Sequence, residues 1–192
     1  MDRGAKDMNI ISDDALAQRL ADRTQMDQGK VREGLSAALD LVRSKLTGGI
    51  GVKLRSFADF FLVDSGGNAR SECLIFPSAE AATTVKRTIQ CSDNEAESFL
   101  ENVIHVIREA VLAGDKVDLP GLFSLNVVEE RAKAMTDEAG KQQIAHARRI
   151  ISFTTSDQIR SAIGDGLSLK FLPDPALKAQ IKSLKSSAIL LL

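Results

Sequence analysis

The side chains best suited to chemistry in this chain are cations gathered on one short stretch. Between Arg131 and Arg149 stand Arg131, Lys133, Lys141, Arg148 and Arg149 against Asp137 and Glu138, with His146 among them. Long cationic side chains on a narrow ribbon can reach phosphates and enter a narrow, electronegative minor groove, where width and A·T content are read more than base sequence. Lys53 and Arg55 add two cations on an earlier apolar run. Other spacings carry less. Gly48-Gly49-Ile50-Gly51 lacks the lysine and hydroxyl of a phosphate-cradling loop and reads as a helix stop before a strand. Glu101, His105 and Glu109 recur every four residues, and two turns span too far for one ion, so ion pairing is expected there and no metal. Cys73 and Cys91 lack metal or redox spacing and read as buried thiols in a reducing compartment. With two histidines and no nucleophile–base arrangement, neither an enzyme, a cofactor nor a small-molecule substrate is expected.

Positioning those cations requires a folded frame, and 192 residues with 44% hydrophobic content suffice for one sizeable core or two small ones. A formal net charge of −1 argues against strong non-specific binding to DNA by the whole surface, so a basic surface must be local. Tryptophan and tyrosine are absent, and Phe57, Phe60 and Phe61 fall in an apolar pattern that suits a core better than a base-stacking platform. No N-terminal signal and no apolar run of spanning length is visible, which argues against secretion and membrane insertion.

Along the chain, residues 1–11 show no period and read as a disordered leader. Ser12 or Asp13 caps a short helix through Arg23, and a second helix carries Val31, Leu35, Ala38, Leu39, Val42 and Leu46 before stopping at Gly48-Gly49. Val52 to Val63 is strand-like, Asp64-Ser65-Gly66-Gly67-Asn68 is a turn, and Glu72 to Phe76 reads as the return strand of a hairpin. Ser92-Asp93-Asn94-Glu95 is a capping box that opens a long helix with a wide apolar face through Val111. Two further strand-like segments, Val117 to Ala132 and Gln142 to Phe153, flank the cationic stretch as a β-arm. At a constant offset of 65, Leu35 aligns with Leu100, Leu39 with Ile104, Val42 with Ile107, Leu46 with Val111, Val52 with Val117, Leu54 with Leu119, Phe57 with Leu122 and Phe60 with Leu125. The chain therefore reads as an internal repeat. Its return strand needs another offset, with Phe76 matched to Phe153, which leaves the arm in the second copy alone.

The ordered spacing of Gly114, Lys116, Val117, Leu119, Gly121, Leu122, Ser124, Leu125 and Val127, then a charged arm, Gly140 and Phe153, resembles the bacterial histone-like HU and integration host factor (IHF) family over residues from about 90 to 163. The resemblance implies an α+β, HU/IHF-like fold with a helical base, a β-sheet saddle and one β-arm, and two copies on one chain imply a single-chain pseudodimer. It divides the chain into a leader over 1–11, copy one over 12–89 with a truncated arm, copy two over 78–163 sharing helix 78–89, and a linker with an amphipathic helix over 164–192. Either that shared helix closes copy one or the closing helix of copy one is lost. The C-terminal helix presents Lys178, Lys182 and Lys185 opposite an apolar face, which suits core packing or self-association, phosphate contact or a membrane surface.

By the same resemblance the protein is a non-enzymatic, nucleoid-associated cytoplasmic DNA-binding protein with double-stranded DNA as its partner. Its site residues would be Arg131, Lys133, Lys141, His146, Arg148 and Arg149, with Lys53 and Arg55. Asp137-Glu138 stands at the arm tip where the family places a wedging proline, His146 falls on a proline position, and Phe123 replaces a turn glycine. The alternative is an HU-like scaffold that has lost DNA binding and serves as a protein-interaction or dimerisation module.

Overall fold

The computed structural model describes residues 9–130 and 148–184 in full and residues 133–136 and 142–145 by their backbone. The chain opens with strand β1 (Ile10–Ile11) and helices α1 (Asp13–Thr24) and α2 (Gln28–Thr47). Strands β2 (Gly51–Leu54), β3 (Ala58–Asp64) and β4 (Cys73–Phe76) follow, then α3 (Ala79–Ile89) and α4 (Asp93–Ala113). Next come β5 (Lys116–Leu119), β6 (Phe123–Glu130), β7 (Lys133–Thr136), β8 (Gln142–Ala145) and β9 (Arg148–Thr155). Helix α5 (Asp157–Ile163), β10 (Leu167–Pro173) and α6 (Pro175–Ser183) complete the described order.

Local chemistry sets the helix ends. Asp27 accepts hydrogen bonds from the amides of Gly29 and Lys30 at the start of α2, and Ser92 and Glu95 form the reciprocal capping box of α4. Helices α1 and α3 each end on a glutamine in the left-handed region, Gln25 at φ 56° and Gln90 at φ 53°. A side chain there costs about 1–2 kcal/mol, so tertiary packing must hold both turns. The same 65-residue spacing relates Gly49 to Gly114 (φ 82° and 83°) and Ser56 to Gly121 (φ 60° and 75°). Backbone conformation thus follows the periodicity of the apolar residues at the points where the chain changes direction.

Two four-stranded sheets stand among the described residues, with strand orders β1-β5-β6-β9 and β10-β3-β2-β4. In each, a tight antiparallel hairpin (β5–β6, β2–β3) is flanked by a parallel edge strand (β1, β4) and by a longer antiparallel strand (β9, β10). The third antiparallel strand of the first hairpin is therefore β10, in seven consecutive pairs from Leu167↔Asp64 to Pro173↔Ala58. This corrects the expectation for residues 72–76: β4 lies on the far side of β2 and runs parallel to it. A stretch expected to be a linker is a sheet strand, and α6 packs its Leu177 and Ile181 into the core. The expected leader is shortened too, because Ile10–Ile11 pairs with β5 and buries Ile11; residues 1–8 lie outside the described residues.

The core runs continuously from Leu16 and Leu20 through the apolar faces of α2 and α4 to the inner faces of both sheets. Gly34 lets helices meet closely: a Cβ there would stand 3.0 Å from Phe99 Cζ and 3.1 Å from Ile89 Cγ2, so these side chains would have to give by a few tenths of an ångström. The sheets join through phenylalanines: Phe60 stacks on Phe123 at 4.5 Å between ring centroids, and Phe153 stacks on Phe171 at 5.4 Å. Such pairs add about 0.5–1.5 kcal/mol beyond their buried area. Phe57 and Phe60 are thus core residues, and Phe123 in place of a turn glycine is one of the rings that seal the join.

Candidate nucleic-acid interface

Strand alternation decides where each basic side chain points. On β6 the residues Phe123 and Leu125 are buried, so Val127 and Glu129 share the inner face while Ser124, Asn126, Val128 and Glu130 line the outer one. Their partners on β9 place Thr154, Ser152, Ile150 and Arg148 outside and Phe153, Ile151 and Arg149 inside. The two arginines adjacent in sequence therefore serve opposite faces. Arg148 is exposed, and its Nε donates to Glu130 Oε2 at 2.6 Å across the ladder.

Strands β7 and β8 pair from Lys133↔Ala145 to Thr136↔Gln142, in the register set by Glu130↔Arg148. The two form a separate two-stranded sheet. The backbone of Lys133 is in this sheet, while Arg131, Lys141 and His146 lie outside the described residues, as does Asp137-Glu138.

Lys53 projects from the outer face of β2 opposite Asp59, with Nζ at 3.3 Å from Oδ2. Arg55 departs from this surface. It lines a separate hollow of about 240 Å³ with Ser56, Pro77, Glu101, Ile104, His105 and Arg108. Of the cations with described side chains, Lys53 and Arg148 thus lie on outer sheet faces and are ion-paired, Arg149 lies on an inner face, and Arg55 lies elsewhere.

Lys170 on the outer face of β10 escaped the sequence reading, which gave phosphate contact as one of several roles to Lys178 and Lys182 on α6. The last two line a cavity of about 180 Å³ with Arg148, Arg149, Ile150, Ile151, Pro173 and Ile181. A second repeat in the sequence carries the missing signal. At an offset of 18, Ile151 aligns with Leu169, Phe153 with Phe171, Ile159 with Leu177 and Ile163 with Ile181, and β10-α6 follows the strand–helix order of β9-α5.

The weaker sequence motifs resolve simply. His105 Nε2 lies 2.9 Å from Glu109 Oε1, and Arg23 pairs with the same carboxylate at 3.5 Å. Cys73 is exposed, contrary to expectation, because it lies on the outer face of edge strand β4; partial burial and Asp59 push its thiol pKa up. Cys91 is half-buried. Among the described residues no helix is long and apolar enough to cross a membrane.

Residues 78–164 match the family model described as bacterial DNA-binding protein. The match covers α3, α4, β5 to β9 and α5. Among solved structures, the chain is similar to one in an Anabaena HU–DNA cocrystal, at 24% sequence identity, over 45% of this chain and 95% of that one, with a TM-score of 0.36. No curated protein matches the chain.

Proposed function

We propose that this chain is a non-enzymatic, HU-like DNA-binding protein that contacts duplex DNA through the β7–β8 arm with little base specificity and contributes to the architecture of the nucleoid. The observation that carries this reading is the coincidence of the bacterial DNA-binding family match with the hairpin that extends in register beyond Glu130↔Arg148 and holds the basic excess of residues 131–149. Arg131, Lys133, Lys141, His146 and Arg148 are assigned to the phosphates and minor groove. A ribbon of this width suits readout by shape.

The chain is further read as an intramolecular pseudodimer. One unit is β4-α3-α4-β5-β6-arm-β9-α5; the other is β1-α1-α2-β2-β3 completed by β10-α6 from beyond the first. Paired left-handed residues at the 65-residue spacing, and the matching strand orders of the two sheets, support this reading. With one arm per chain, embracing DNA from both sides requires two chains.

One observation favours the second reading, an interaction module without DNA binding: Asp59 and Glu130 neutralise the outer-face cations Lys53 and Arg148. Fluorescence anisotropy of a labelled duplex, titrated with protein at several salt concentrations, separates the two. For the DNA reading, affinity falls steeply with salt, and Arg131→Ala/Lys133→Ala/Lys141→Ala weakens binding and lowers the slope by about 0.9 for each phosphate that is no longer neutralised. Absence of binding at low salt would leave the interaction module.

A further inference from the structure

The cavity between β9 and α6 has a composition that neither the arm nor the core explains. Ile150, Ile151, Pro173 and Ile181 form apolar walls, and every charged lining residue is a cation: Arg148, Arg149, Lys178 and Lys182. Arg148 is bonded to Glu130 on the outer face. Arg149, Lys178 and Lys182 have no ion-pair partner within 4 Å among the described residues, and Glu129, opposite Arg149 in the ladder, is not among the lining residues. Arg149 is half-buried and Lys178 and Lys182 are exposed, so an anion at the rim of this cavity is attracted by all three.

The internal repeat supplies a control within the same molecule. Lys178 of α6 occupies the position of Arg160 in α5, 18 residues earlier. Arg160 is satisfied twice, by Asp157 at 3.1 Å and by the carbonyl of Thr155 at 3.0 Å. At the position equivalent to Asp157, helix α6 carries Pro175, and at the position equivalent to Arg149, strand β10 carries Leu167. One strand–helix seam therefore pairs its cation with an acid, while at the other Asp174 caps the Ala176 amide, Lys178 has no ion pair within 4 Å among the described residues, and Arg149 adds a second cation.

We propose that this cavity is a phosphate-binding site in which Arg149, Lys178 and Lys182 hold a phosphate group beside the base of the arm. The cavity is smaller than the roughly 300–1,000 Å³ of pockets that enclose whole organic ligands, which suits one phosphate group with the rest of its carrier outside. Guanidinium and ammonium groups supply charge-assisted hydrogen bonds to its oxygens, and Arg149 adds a planar fork. The carrier is either a small phosphate compound or a nucleic-acid backbone. The site does not depend on the arm contacting DNA.

The test is calorimetric titration of the full chain with pyrophosphate in a low-salt buffer free of phosphate and sulfate. The proposal expects one saturable, salt-sensitive site, weakened at least about tenfold in Lys178→Gln/Lys182→Gln, as loss of charged hydrogen bonds implies. Lys30→Gln/Arg87→Gln removes the same charge from exposed positions outside the cavity and should bind like the native chain. A Lys178→Arg/Lys182→Arg variant should retain the site, which guards against simple misfolding. Absence of saturable binding, or equal weakening in both glutamine variants, overturns the proposal. Adding duplex DNA identifies the carrier: displacement of pyrophosphate assigns the site to backbone phosphate, and independent binding assigns it to a small phosphate compound.

Discussion

Asp13 and Phe60 illustrate how single residues take their character from the assembled core. Asp13 Oδ1 is buried without a hydrogen-bond partner, and burial pushes the carboxyl pKa up against the opposing pull of Arg43, with Asp14 and Asp118 adding to the rise. Its folded-state pKa lies above the unfolded value, so the folded state binds the proton more tightly. This group therefore costs stability at neutral pH and ceases to cost it as pH falls towards the unfolded value, about 3.9. Asp13→Asn should raise the thermal midpoint at pH 7, with the gain fading in acid; a gain independent of pH would point to another cause. Phe60, 1% exposed and in contact with the rings of Phe123, Phe153 and Phe171, should cost about 3–5 kcal/mol when replaced by alanine, read from urea denaturation. The core role of Phe60 was legible from its apolar alternation, and the orphaned oxygen of Asp13 was not, because nothing local distinguishes it from an ordinary helix-start acid.

Among the elements, helices were the most legible. Ser92 and Glu95 fix the start of α4 by a motif contained within four residues, and the Ser92 hydrogen bonds hold the Glu95 carboxyl below its ordinary pKa. Ser92→Ala should destabilise the fold by about 1 kcal/mol, measurable by chemical denaturation. The arm is separable in a way α4 is not. Glu130 and Arg148 are directly paired, so a two-residue Asn-Gly turn can replace residues 131–147 without disturbing the ladder below. That variant should keep its thermal midpoint while losing duplex binding in the anisotropy titration; retained binding would move the DNA contact to the body. Strand β4 was read as a strand with the wrong neighbour, because propensity assigns a short apolar run to a strand without naming its partner, and β10, between Gly166 and Pro175, was read as linker.

At the scale of the molecule, the C-terminal segment decides whether the first half of the chain can fold. Removing residues 164–192 takes away a seven-pair ladder along β3, the ring stacked on Phe153, and the buried Leu169, Leu177 and Ile181. Marginal stability of about 5–15 kcal/mol does not survive such a loss. The 1–163 fragment should lack a cooperative calorimetric transition, and a peptide of residues 164–184 added in trans should restore one; a cooperative fragment would restore the linker reading. The sequence by itself determined the helices, the 65-residue apolar spacing and the resemblance carried from Gly114 to Phe153, because caps and apolar periods act between near neighbours in the chain; it read each tight hairpin, β2–β3 and β5–β6, as a single strand. Only the tertiary structure decided which strand completes the first sheet, that Arg148 and Arg149 serve opposite faces, and that two lysines of the C-terminal helix meet Arg149 around one cavity. The physical reason is that pairing is non-local: β10 aligns seven residues with β3 and places Leu169 and Phe171 on the inner face, whereas β4 offers four residues and finds its partner on the free side of β2.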